Sequence, residues 1–230
     1  MSPEQRPWRS AAALVYVDDL DADELGREDD HHLRRVLRLR PGDELCLCDG
    51  SGSIRPAVLA DPGRLDLAGD VERVAPPPYP ITVGVAPPKG DRLDLLVAKT
   101  CELGVDRIVL FAAERSVVRW DAGRAERALE RLGRVVRAAG AQSRRTHLPE
   151  LAIEDLGALL AAGAPIADFD GRPPASEDRT LLVGPEGGWS DEERAAADAG
   201  GGRVRLAADV LRVETAAIAS AVALGLARPA

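Results

Sequence analysis

Thr180-Leu181-Leu182-Val183-Gly184-Pro185-Glu186-Gly187-Gly188-Trp189-Ser190 is the stretch that decides the fold. A short apolar run stops at a glycine-rich loop. Ser190, with Glu193 three residues on, then spells the capping box that opens a helix. Strand, tight loop and helix in that order are the unit of a parallel sheet covered on both faces. Ligands of such sheets sit outside the carboxyl ends of the strands. Three glycines let the backbone turn sharply and come close to a ligand. The loop is a candidate cofactor cradle, although an ordinary strand-to-helix turn can share its composition. It is not a phosphate loop, because the lysine and Ser/Thr of G-x-x-x-x-G-K-[ST] are missing, and it is not the dinucleotide G-x-G-x-x-G.

The same alternation extends in both directions. Upstream, Ile81 to Ala86 reads as an apolar strand. Arg92 to Leu103 reads as a helix with Leu93, Leu96, Val97 and Thr100 on one face and Gly104 as its stop. Arg107 to Phe111 is a strand, and Arg124 to Ala139 is a helix with Leu129, Leu132, Val135 and Val136 in its apolar set. Glu154 to Ala162 is a helix and Pro165 to Phe169 a strand. Downstream, Arg203 to Leu206 is a strand and Glu214 to Leu226 an Ala-rich closing helix. The loop between these two carries Arg212, Glu214 and Thr215. An acid near a helix N-terminus gains from the dipole, so Glu214 has an explanation without chemistry. Arg212 does not, because the same dipole disfavours it.

Four prolines within positions 76–80 exclude a helix or a central strand there and read as a stiff linker over 75–80. The residues before it, 1–74, look mostly like strands: Ala12 to Val17, Glu44 to Cys48, Ile54 to Leu59 and Leu65 to Val71. Turn signals at Pro41-Gly42-Asp43, Asp49-Gly50-Ser51-Gly52 and Asp61-Pro62-Gly63 separate them. One helix, near Asp29 to Leu39, places Leu33, Val36 and Leu37 inward and Arg34, Arg35 and Arg38 outward. Short strands at this spacing suggest a small barrel.

Composition narrows the classes of function. At 230 residues and 45% apolar, the chain can bury a core, and no apolar run approaches a membrane span. The first ten residues lack the layout of a signal peptide. Cys46, Cys48 and Cys101 fit no disulfide framework and no common zinc spacing, which reads as reduced thiols in a cytoplasmic protein without a metal. The net charge of −8 speaks against nucleic acid only until its distribution is considered. His31 to Arg40 and Arg134 to Arg145 are both free of acids; each suits a phosphate contact or a solvated helix face. Of the 30 basic residues only Lys89 and Lys99 are lysines. They mark a place for a compact ammonium, or fall together by chance.

Five motifs then occur in order: Pro88-Lys89-Gly90-Asp91-Arg92, Lys99-Thr100-Cys101-Glu102-Leu103-Gly104-Val105, Ala141-Gln142-Ser143-Arg144-Arg145, Gly184-Pro185-Glu186-Gly187-Gly188 and Leu211-Arg212-Val213-Glu214-Thr215-Ala216. Together they resemble the RsmE family, the 16S ribosomal RNA (uracil-N3)-methyltransferases of the SPOUT superfamily. His32 to Arg38 and Pro41-Gly42-Asp43 resemble that family's N-terminal domain, so the likeness spans nearly the whole chain.

The resemblance implies an α/β fold: a SPOUT-type parallel sheet with a C-terminal trefoil knot over 81–230, and a small PUA-like RNA-binding β-barrel over 1–74. It implies a homodimer that binds S-adenosylmethionine. Gly184, Pro185, Glu186, Gly187 and Gly188, with Leu206, Ala208 and Leu211, would hold the cofactor, and Phe169 would begin a third wall. Arg34, Arg35, Arg38, Lys89, Lys99, Gln142 and Arg145 would meet ribosomal RNA within the small subunit. Arg212 would stabilise charge on the uracil, and Glu214 would accept the N3 proton or orient Arg212. The family pattern has an acid at Ala141, Gly at Arg144 and Thr at Val213, and this chain departs from it at all three. The competing readings are a SPOUT methyltransferase for another RNA such as tRNA, a non-catalytic RNA-binding relative, and a small-molecule enzyme with a generic nucleotide site.

Overall fold

The computed structural model describes residues 7–228. Its backbone contacts divide into two compact units. One comprises residues up to Pro76 together with Gly140–Leu148; the other comprises Pro77–Ala139 and everything from Pro149 onward.

The larger unit is a six-stranded, wholly parallel sheet. Its strands are β6 (Thr82–Val85), β7 (Arg107–Leu110), β8 (Glu150–Ile153), β9 (Ile166–Arg172), β10 (Thr180–Val183) and β11 (Arg203–Val204). They lie in the order β11-β9-β10-β6-β7-β8. β6, β7 and β10 are short apolar runs buried almost throughout, as strands covered on both faces must be. β8 went unread in the sequence because Glu150-Leu151-Ala152-Ile153 lies at the sheet edge and is only half buried, so it shows neither alternation nor a continuous apolar run.

Helices α3 (Arg92–Glu102), α4 (Ala122–Ser143), α5 (Leu156–Ala161) and α6 (Asp191–Asp198) join strands of this sheet, and α7 (Val213–Leu226) follows the last of them. α3 buries Leu93, Leu96, Val97, Thr100 and Cys101 and packs on α7. On α4 the buried stripe runs Ala128, Leu132, Val136 and Ala139, with Leu129 and Val135 at its margins. α6 opens with the full capping box: the Ser190 hydroxyl accepts from the Glu193 amide, and the Glu193 carboxylate accepts from the Ser190 amide.

The smaller unit contains β1 (Ala13–Tyr16), β2 (Glu44–Cys48), β3 (Ser53–Leu59), β4 (Leu65–Leu67) and β5 (Glu72–Arg73), with the short helices α1 (Pro7–Ser10) and α2 (Arg27–His31). β1 pairs parallel with β2, and the other pairings are antiparallel. Strict alternation covers both faces of this sheet. Ala13, Val15, Leu45, Leu47, Ala57 and Leu59 join one core, and Leu14, Tyr16, Cys46, Cys48 and Ile54 join another. Ala141 and Leu148 pack on the second core, and the Tyr16 hydroxyl donates to the Arg145 carbonyl at 2.6 Å.

Two readings of this unit need correction. The strand predicted over Leu65 to Val71 ends at Leu67. The helix predicted over Asp29 to Leu39 is α2 followed by a π-helical turn, His32–Val36, closed by the Leu37 amide donating to the His32 carbonyl at 3.0 Å. The wider turn spoils the 3.6-residue face count. Leu33 is buried, but Val36 and Leu37, expected inward, are exposed.

Candidate active site

The carboxyl ends of β9, β10 and β11 enclose a cavity of about 630 Å3. Three segments wall it. The first is a bulge in β9. β11 pairs through Arg203 with Ile166 and then through Val204 with Arg172, so residues 167–171 loop out of the ladder. The bulge is pinned at both ends. Trp189 Nε1 donates to the Ala167 carbonyl at 2.8 Å, and Arg194 Nε donates to Asp168 Oδ2 at 2.9 Å. At its far end, a Cβ on Gly171 would lie 2.5 Å from the Val204 amide nitrogen, so only glycine allows the two backbones to pass.

The second wall is the loop after β10. Gly184 is packed so tightly that a Cβ would meet the Trp189 ring at 2.7 Å. Trp189 itself is buried and stacks on Phe111, with ring centroids 6.0 Å apart. That places the indole in the core rather than in reach of a base. The third wall is 204–213, which runs from β11 into α7.

Charge gathers at the walls. Asp168 is almost fully buried, and its ion pair with Arg194 holds the guanidinium's pKa above its usual value. Arg92, the first residue of α3, approaches Glu186 Oε1 to 3.8 Å, a loose and exposed pair. Arg212 is the N-cap residue of α7; it is exposed, caps nothing with its side chain and has no ion pair among the described residues. Glu214, in the first turn of α7, has a buried Oε2 with no hydrogen-bond partner among the described residues.

Of the residues predicted to contact a cofactor, Phe169, Gly184, Pro185, Glu186, Gly188, Leu206 and Leu211 line the cavity, while Gly187 and Ala208 do not. Of the predicted catalytic pair, Arg212 lines it and Glu214 does not. Arg92, Asp168 and Arg194 line it too and were missed as site residues. Only Arg92 left a signal, at the helix start in the Pro88–Arg92 motif; the other two depend on the bulge.

The residues predicted to meet RNA are divided between the units. Arg34 already donates to Asp30 and to the Ala60 carbonyl, Lys99 to Glu102, and Arg145 Nε to the His147 carbonyl. Arg35, Arg38 and Lys89 are exposed without an ion pair among the described residues, and Gln142 is exposed.

A mostly apolar pocket of this size suits a nucleoside-sized ligand, held by backbone groups at a few points. No group of metal-binding side chains occurs among the described residues. A second cavity, about 550 Å3, opens at the amino ends of β6, β7 and β10, where Arg107 pairs with Glu154 and Arg172 with Asp178. Its charges are matched internally, and it lies away from the end where parallel sheets bind ligands.

Comparison with known proteins agrees with this geometry. A family model described as an RNA methyltransferase domain matches residues 75–225, and one described as an RNA methyltransferase PUA domain matches residues 25–71. The ribosomal RNA small subunit methyltransferase E of Mycobacterium bovis is 36% identical, over 93% of this chain and 90% of its own. The Neisseria gonorrhoeae protein of that name, solved bound to S-adenosylmethionine, superposes with a TM-score of 0.76 at 28% identity, over 92% of this chain and 96% of its own. A Legionella pneumophila methyltransferase in complex with S-adenosylmethionine gives a TM-score of 0.79 at 25% identity, over 93% and 97%.

Proposed function

The chain belongs to the ribosomal RNA small subunit methyltransferase E family, and we propose that it transfers a methyl group from S-adenosylmethionine to N3 of a uracil in small-subunit (16S) ribosomal RNA. The observation that carries this reading is the cavity: an apolar, glycine-walled pocket with an unpaired guanidinium, that of Arg212, at its edge.

The residues present fit the cofactor. The backbone of 184–188 can approach it closely because a side chain at Gly184 would collide with Trp189, and Leu206 and Leu211 give apolar cover. Bound there, S-adenosylmethionine supplies an electrophilic methyl group, which leaves the protein to provide position and electrostatics. Uracil N3 carries a proton, and once that proton leaves, negative charge spreads onto O2 and O4. Arg212 stabilises this charge without surrendering a partner first, since it has none among the described residues. Glu214 stands outside the cavity lining, and its buried Oε2 pairs with no group among the described residues, Arg212 included; in this reading it accepts the N3 proton or orients Arg212 once RNA is bound.

Arg35, Arg38, Lys89 and Gln142 present side chains without an ion pair among the described residues, whereas Arg34, Lys99 and Arg145 must exchange a present partner for a phosphate. Family membership also supports a C-terminal trefoil knot, a homodimer, and work on the small ribosomal subunit in the cytoplasm. No helix among the described residues is long and apolar enough to cross a membrane.

Two measurements test the reading: calorimetry of the full chain with S-adenosylmethionine, and mass spectrometry of RNA from a strain lacking the gene. N3-methyluridine should vanish from small-subunit RNA and return on complementation. Absence of cofactor affinity, or an unchanged N3-methyluridine level, would sink it. Loss of the mark from tRNA instead would move the target, not the chemistry.

A further inference from the structure

Phe169 lies in the 167–171 bulge, lines the cavity and is 56% exposed. This chain uses aromatic residues sparingly, at 3%, and has two phenylalanines. The other, Phe111, is buried in the core. Among the described residues Phe169 is the sole aromatic in the set of exposed large hydrophobics, and Val210, 90% exposed, lines the same cavity. The bulge that carries the ring is fixed by Trp189 on Ala167 and by Arg194 on Asp168. An apolar ring is therefore held out in water at a set position, which marks a contact surface.

Its surroundings define the partner. Arg92 and Arg212 line the same cavity, the first only loosely paired with Glu186 and the second unpaired among the described residues; with Arg194 and Arg205 the guanidiniums there outnumber the carboxylates of Asp168, Glu186 and Asp209. An aromatic face that shares a cavity with guanidiniums suits a flat base carried on a phosphodiester, as in single-stranded RNA. A second copy of the chain could cover the ring, but it would have to offset these cations as well. RNA brings its own negative charge.

Resting on the methyltransferase reading, we propose that Phe169 is a substrate-binding residue, the stacking platform for the target pyrimidine once that base has left the RNA stack, with Arg92 taking the adjacent phosphate. The sequence alone places Phe169 with the cofactor; its exposure turns it toward the substrate. The enzyme then requires an unpaired uridine, or one that can be flipped out at small cost.

The test uses the full chain with Phe169→Ala, Phe169→Leu and Phe169→Trp. Three quantities are measured: KM and kcat on undermethylated small-subunit RNA, S-adenosylmethionine affinity by calorimetry, and mass in solution by light scattering. Phe169→Ala should raise KM for RNA about ten- to hundredfold, the usual worth of one base–aromatic stack. Phe169→Trp should restore it and Phe169→Leu should not, with cofactor affinity and mass unchanged throughout. A parallel fall in cofactor affinity would return Phe169 to the cofactor, and a change in mass would assign it to a second copy. Leucine serving as well as tryptophan would reduce it to apolar bulk. Each of these results overturns the inference while leaving the methyltransferase reading intact; a wild-type chain without activity or cofactor affinity would instead defeat that reading.

Discussion

Arg212 stands where helix α7 least favours a cation, at its N-terminus, and among the described residues no carboxylate answers it. A residue that gains so little from the fold is free to act on a ligand. Arg212→Ala should lower kcat about 10²- to 10³-fold, the range for loss of one charge-stabilising donor, while calorimetry finds cofactor affinity unchanged. Full turnover by the variant would remove Arg212 from the chemistry. Arg144 shows the opposite economy. It adopts φ 60°, where the family pattern has Gly, and so accepts a strain of about 1–2 kcal/mol. Its Nη2 donates to the Ala12 carbonyl at 3.0 Å in partial return, while its Nη1 is buried without a partner among the described residues. The cysteines are the third case. Burial pushes the Cys46 thiol up to about 12 and the Cys48 thiol up to about 11, from an ordinary 9. Above pH 9 the unfolded chain releases these protons and the folded chain keeps them, so stability is untouched below pH 9 and falls as pH rises toward 11–12. Urea midpoints at pH 8 and pH 10.5 should show the drop, and Cys46→Ala with Cys48→Ala should flatten it.

At the scale of elements, the site depends on how strands end. α6 is capped by Ser190, directly after Trp189, whose indole pins the β9 bulge, so the cap also fixes the loop before it. Ser190→Ala removes the acceptor for the Glu193 amide and should cost about 1 kcal/mol in urea denaturation. An unchanged midpoint would mean that the box is incidental. Ser190 and Glu193 announced this helix in the sequence because capping is local, settled within four residues. The π turn at His32–Val36 was not announced, since periodicity assumes the α-helical repeat. The β9 bulge was equally silent: residues 167–171 leave the ladder because of β11, Trp189 and Arg194, all more than 15 positions away in the chain.

For the molecule as a whole, the formal charge of −8 predicts weak attraction to RNA, and its distribution predicts otherwise. Arg35→Ala and Arg38→Ala should each reduce the slope of log affinity against log salt by about 0.7–0.9 if each meets one phosphate, with cofactor binding unaffected. An unchanged slope would leave Arg35 and Arg38 on a solvated surface. The sequence determined the parallel sheet, the glycine loop, the capped helix and the place of Arg212. Each rests on composition and on spacing along the chain, where the deciding interactions are a few residues apart. Only the tertiary structure decided that Gly140–Leu148 clusters with the first unit, that Asp168 and Arg194 wall the cavity, and that Phe169 stands in solvent while Trp189 does not. Those outcomes turn on which distant backbones come close enough to exclude a side chain or share a hydrogen bond, and no local pattern records such proximity.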